Sequence, residues 1–109
     1  MAENSFSDKV NFYKPSKRFI IPIKNFHIPR KLFSEFKKTN YNFKINLNFT
    51  YIINKCSLTN EKRSETWINS LLKNSYINLF NKGYAKCIEC IYKGNIIGGL
   101  YGVKIGKCF

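Results

Sequence analysis

The sequence predicts an α+β fold in which two to three short helices pack on a mixed sheet that contains an antiparallel hairpin. Three observations carry this. Apolar residues recur at helical spacing over 32–36 and again over 69–81, the mark of amphipathic helices. Residues 84–92 and 96–104 instead alternate and are rich in β-branched and aromatic types, with Lys93-Gly94-Asn95 as the turn between two strands. Finally, 109 residues with 44% apolar and 17% aromatic content supply one hydrophobic core and too little chain for two.

The elements follow in order. Residues 1–17 are polar and mixed and read as extended, poorly fixed chain. Phe19 to Ile23 form a short apolar segment, ended by Pro22 and the turn-forming Asn25. Pro29 suits the first position of a helix, where its missing N–H would have no intrahelical partner. Leu32, Phe33 and Phe36 then mark an amphipathic helix through Lys38. Over Asn42–Asn48 the period changes to alternation, placing Phe43, Ile45 and Leu47 on one face of a strand. Asn48 is a possible cap for a second helix with Phe49, Ile52, Ile53 and Cys56 on its buried side. A charged loop covers 57–65. A longer helix from about Asn69 to Asn81 turns Leu72, Tyr76, Leu79 and Phe80 inward, and Gly83 is its C-terminal stop. The hairpin comes next, and residues 107–109 are expected to begin a further strand.

Nineteen Lys and Arg against six Asp and Glu give a formal charge of +13, which favours a polyanionic partner. Part of that lysine usage accompanies the Ile, Asn, Phe and Tyr bias of an AT-rich coding sequence. Four cysteines include a C-x-x-C at Cys87 and Cys90. An odd separation on a strand points the two thiols to opposite faces, so free thiols are expected and no metal or cofactor site. There is no apolar run near 18 residues and no signal-peptide pattern; the expectation is a cytoplasmic protein with no membrane association.

The run Ile97-Gly98-Gly99-Leu100-Tyr101-Gly102-Val103 is the most specific feature. Adjacent glycines in a strand mark a bulge, or a place where another backbone or a ligand comes close. Upstream stand Arg63-Ser64-Glu65-Thr66-Trp67-Ile68-Asn69, then Tyr76, Leu79, Gly83, Ala85 and Glu89. Earlier still are Arg18-Phe19-Ile20-Ile21-Pro22 and Phe26-His27-Ile28-Pro29-Arg30. Together and in this order these segments resemble bacterial leucyl/phenylalanyl-tRNA-protein transferases, whose core reads RGIIPL, FHVPR, ETWIN, GHAHSVE and LVGGLYGV, closing in GxxF with Phe109 as the last residue. The family continues into GESMFS and D-x-Q segments that this sequence lacks, and Met1-Ala2-Glu3 is similar to the middle of a family segment, FPMAE. The chain is therefore expected to be a central fragment.

The resemblance implies part of a GNAT-like acyltransferase fold, with 1–41 as an extended, basic N-terminal segment with a short helix and 42–109 as the front part of the transferase domain. It implies transfer of leucine or phenylalanine from Leu-tRNA or Phe-tRNA to an acceptor protein beginning with Arg or Lys, the tagging step of N-end rule degradation, with no cofactor. Trp67 would line the site for the 3′-terminal adenosine and aminoacyl group. Leu100 and Phe109 would form part of the side-chain pocket, with Tyr76 and Tyr101 packing or lining it; each also reads as core. Gly98 and Gly99 would admit the acyl donor against the backbone, or serve only as a bulge. Lys17, Arg18, Arg30, Lys31, Lys37 and Lys38 are candidates for tRNA phosphates, or simply a solvated face.

No catalytic residue is assigned. His27 reads as a structural or surface side chain. Glu89 matches a family glutamate, but Lys86 and Cys87 stand where the family has histidine and serine. The family's proton-handling groups lie in the segments this sequence lacks, so the chain alone is expected to be inactive. Either a second polypeptide completes it, or it is a degraded remnant or pseudogene product with no function, or a non-catalytic, basic tRNA-binding remnant.

Overall fold

The computed structural model describes residues 9–109. The expected likeness of Met1-Ala2-Glu3 to an internal family segment lies outside the described residues. A 3-10 turn at Ile23–Asn25 precedes α1 (Arg30–Lys38), β1 (Asn42–Ile45), α2 (Phe49–Cys56), α3 (Ser70–Asn81), β2 (Ala85–Tyr92) and β3 (Asn95–Val103). The sheet runs β1-β2-β3 with both pairs antiparallel. The expected α+β class and hairpin are present. The expected mixed sheet is not found among the described residues, because the two helices between β1 and β2 return the chain antiparallel to β1.

Local chemistry explains the best-defined ends. The Asn69 side chain accepts the Leu72 N–H at 2.9 Å and starts α3. At its other end Gly83 adopts φ +85, the Tyr84 N–H donates to the Leu79 carbonyl and the Gly83 N–H to that of Phe80. This is a Schellman ending, which a Cβ at Gly83 would strain. Lys93 and Gly94 both have positive φ, so the hairpin turn has two residues and Asn95 already belongs to β3.

One face of the sheet carries the core. Phe49, Ile53, Ile68, Ala85 and Cys87 form its buried cluster, with Tyr76, Ile77, Leu79, Phe80 and Tyr101 packed around it. Phe49 stacks on Phe80 with ring centres 4.6 Å apart and meets Tyr101 edge-on at 6.0 Å. By strand alternation Ala85, Cys87 and Glu89 of β2 and Gly99, Tyr101 and Val103 of β3 share this helix-covered face. Phe43, Ile45, Ile88, Cys90, Gly98 and Leu100 share the opposite one.

Several expectations are corrected. The strand expected over Asn42–Asn48 stops at Ile45: Asn46 turns left-handed, accepts the Cys87 N–H on its side chain at 3.0 Å and donates its own N–H to the Cys87 carbonyl. That diverts the chain into α2 and leaves Leu47 outside the strand. Asn48 stands at the N-terminus of α2 without a side-chain cap bond; its backbone N–H and its Nδ2 instead donate to the Glu89 carboxylate, the latter at 3.0 Å. Residues 107–109 do not form a strand. A turn bridged between Ile105 and Cys108 reverses the chain, and the Phe109 ring then lies over Gly102.

Candidate functional site

Trp67 is held by its neighbours rather than by its own burial. Thr66, Ile68 and Asn69 are buried, and the Ile68 N–H donates to Thr66 Oγ1 at 3.3 Å. The indole between them stays 37% exposed. It meets Tyr76 of α3 edge-on at 6.5 Å, and Tyr76 meets Tyr101 of β3 at 5.4 Å. A row of rings thus runs from solvent to the sheet. Burial pushes the Tyr76 hydroxyl up from its ordinary pKa, and pushes Tyr101 up to about 12, with Tyr76 and Cys56 adding to the second shift. Both phenols therefore stay neutral near pH 7 and present donors rather than bases.

The twin glycines divide between the two faces. Cys90 pairs with Gly98 and Ile91 with Ile96, leaving Ile97 as the extra residue of a bulge. A Cβ on Gly99 would collide with Ile52 Cδ1 and sit 3.2 Å from its Cγ1 and Cγ2, whereas at Gly98 the nearest neighbour is Cys90 Cβ at 3.9 Å. Gly99 thus lets α2 close on the sheet. Gly98 is open.

Of the residues singled out from the sequence, Trp67, Tyr76 and Tyr101 come together on the helix-covered face. Leu100 and Phe109 are on the other side: Leu100 opposes Ile88, and Phe109 covers Gly102, which opposes Lys86. They remain 56% and 57% exposed. Gly98 shares their face. Arg30, Lys31, Lys37 and Lys38 occupy the two ends of α1 and are exposed; Lys17 and Arg18 are exposed on the extended stretch before the 3-10 turn.

Two features go beyond the sequence reading, which gave Glu89 only as a match to a family glutamate. Glu89 is wholly buried and its carboxylate takes both donors of Asn48 at the start of α2, the place where a negative group complements the helix dipole. The Cys87 thiol approaches it at 3.8 Å, and burial followed by the Glu89 charge pushes that thiol pKa up. The second feature is a groove of about 630 Å3 between α1 and the sheet, lined by Phe26, Pro29, Leu32, Phe33, Phe36, Tyr41, Phe43 and Gly98, with His27 and Glu35 on its walls. The aromatic spacing in and before α1 was its only trace. Cys87 and Cys90 face opposite sides, Cys87 in the core and Cys90 in this groove.

Comparison with known proteins places these segments in one family. The description that matches residues 20–109 is leucyl/phenylalanyl-tRNA protein transferase. Proteins named leucyl/phenylalanyl-tRNA–protein transferase are similar over all 109 residues: 32% identical in Rhizorhabdus wittichii, 34% in Zymomonas mobilis and 35% in Maricaulis maris. The chain spans 44%, 41% and 50% of their respective lengths. With more than four-fifths of its sequence inside the match, the chain belongs to the leucyl/phenylalanyl-tRNA–protein transferase family.

Proposed function

We propose that this chain supplies the donor-binding part of an aminoacyl transfer, in which leucine or phenylalanine passes from its tRNA to the amino terminus of a protein beginning with Arg or Lys. The observation that carries the reading is Trp67, a half-exposed indole fixed between buried neighbours and backed by Tyr76 and Tyr101. A ring held rigidly at the surface suits stacking on a terminal adenine, worth about 1–3 kcal/mol. The sheet beside it belongs, in this reading, to a GNAT-like acyltransferase fold, where the bulge at Ile97 and the open Gly98 leave backbone accessible to the acyl group. Leu100 and Phe109, on the opposite face, offer an apolar surface for the leucine or phenylalanine side chain, which in this reading passes around the β3 edge of the sheet from the adenine on Trp67. Lys and Arg of α1, with Lys17 and Arg18, attract the tRNA backbone.

An aminoacyl ester is already activated. What transfer requires is an amine held within attack distance, a base to take its proton as the C–N bond forms, and donors for the developing oxyanion. The freed 3′-hydroxyl of the tRNA then leaves. Among the described residues Glu89 is committed to Asn48 and sealed from solvent, while Tyr76 and Tyr101 hold their protons. No base is assigned among the described residues; the resemblance places it in the family's GESMFS and D-x-Q segments, which in this reading a second polypeptide would supply.

The test is transfer of labelled phenylalanine from Phe-tRNA to a protein starting with Arg, with this chain alone and then with a C-terminal transferase polypeptide added. Transfer only on addition supports the reading. Transfer that is equally fast without this chain, or absent with both, overturns it.

A further inference from the structure

The segment that carries Trp67 is fastened at both ends. Downstream, Asn69 starts α3 by accepting the Leu72 N–H. Upstream, the fastening is Arg63. Its Nη2 donates to the Cys56 carbonyl at 3.0 Å and also to the Leu58 carbonyl, so one guanidinium nitrogen joins the last residue of α2 to the loop that leaves it. A helix has no donors of its own for its last carbonyls, and a cation there complements the dipole. The Arg63 backbone is fixed as well. It donates its N–H to the Asn60 carbonyl at 3.0 Å and accepts the Asn60 N–H at 2.8 Å, while Asn60 Oδ1 accepts the Lys62 and Arg63 N–H groups at 3.0 and 2.9 Å.

Packing does not account for this hold. Arg63, Ser64 and Glu65 are exposed, and burial resumes only at Thr66. Arg63 lines a cavity of about 410 Å3 together with Lys55 and Cys56 of α2 and with Ile97 and Gly98 of the β3 bulge. The guanidinium therefore stands where the end of α2, the loop before Trp67 and the bulge meet, and it holds the loop by hydrogen bonds alone. We propose that Arg63 is a positioning residue for the aminoacyl-tRNA donor: by tying the 57–65 loop to the end of α2, it sets where the Trp67 indole stands against Tyr76 and so how squarely that ring meets the terminal adenine. The inference rests on the donor-binding reading above and adds to it a residue that acts through Trp67 without touching the donor.

Trp67 is the single tryptophan of the 109-residue chain, so acrylamide quenching of its fluorescence reads the ring directly. Phenylalanine transfer, with the C-terminal transferase polypeptide added, reads the donor. Arg63→Met keeps the apolar stem and removes every side-chain donor. The quenching constant should rise about twofold and KM for Phe-tRNA about fivefold with kcat unchanged, the mark of binding lost equally before and in the transition state. Arg63→Lys, whose ammonium still offers several donors, should recover most of both changes. In a Trp67→Ala background, Arg63→Met should move KM by less than about twofold, because its effect passes through the ring. Asn60→Ala loosens the same loop without touching α2 and should shift quenching in the same direction by less, which serves if Arg63→Met fails to fold. Unchanged quenching in the folded variants, a lower kcat at unchanged KM, or a loss that adds in full to that of Trp67→Ala would each overturn the proposal. Transfer absent from the wild-type pair sinks the transferase reading alone, since quenching still reads the clamp. Transfer by Arg63→Met at the wild-type KM sinks the clamp alone.

Discussion

The two faces of the sheet are built on opposite terms. On one, α2 and α3 bury Phe49, Ile53, Ala85 and Cys87, and even a carboxylate, Glu89, is sealed in. On the other, Ile45, Leu100 and Phe109 stay more than half exposed. The same strands furnish both, so strand propensity does not distinguish them. What differs is what leans on each: the covered face specifies the fold, and the open face is free to specify contacts.

Substitutions can break or sharpen this contrast. The largest expected effect is at Glu89. Glu89→Ala strands the Asn48 N–H and Nδ2 without acceptors and should cost about 2–4 kcal/mol in urea unfolding, while Glu89→Gln, keeping one acceptor, should cost less. Equal losses would mean that the side chain matters for bulk alone. Next come the adjacent glycines. Gly99→Ala drives a methyl into Ile52 and should cost about 1–3 kcal/mol. That penalty should vanish in an Ile52→Ala background. Gly98→Ala meets only Cys90 Cβ at 3.9 Å and should be tolerated. A like cost at both glycines would remove the distinction between the faces.

A smaller effect is expected at alkaline pH. Tyr101 ionises near 10 when unfolded and at about 12 when folded, so its contribution to stability is complete below pH 10. It is lost as pH rises from about 10 to about 12. Tyr101→Phe should reduce that alkaline loss, read as the urea midpoint against pH. The smallest effects are on the open face: Leu100→Ser and Phe109→Ser should change stability by no more than about 0.5 kcal/mol while lowering phenylalanine transfer in the two-polypeptide assay. Destabilisation comparable to Gly99→Ala would make these residues core.

The sequence made legible what is local. The start of α3 near Asn69, the stop at Gly83 and the turn after Tyr92 each depend on a few consecutive residues; the first two stand where expected, and the turn is one residue shorter than the expected Lys93-Gly94-Asn95 because Asn95 already belongs to β3. Two adjacent glycines announced the bulge, but not that one of them serves α2 and the other faces solvent, because that depends on which helix approaches. Alternation at Phe43 and Ile45 identified residues sharing a face, and said nothing of whether that face is covered. Trp67, Tyr76 and Tyr101 were singled out together and meet ring to ring, since two of them ride on elements whose period was clear. The side of the strand taken by Leu100 followed only from the register. Asn48 was read as a cap for α2; its partner, 41 residues away, was invisible to any local pattern.

That separation bears on the order in which the chain acquires its shape. α2 is only eight residues long, too short to persist alone in water, and the group that ties down its first turn belongs to β2. During synthesis the ribosome must therefore deliver Glu89 before α2 can settle, by which time α3 has already emerged. The second helix in the chain thus waits on a strand made after the third, and translation sets the earliest moment at which the covered face of the sheet can exist.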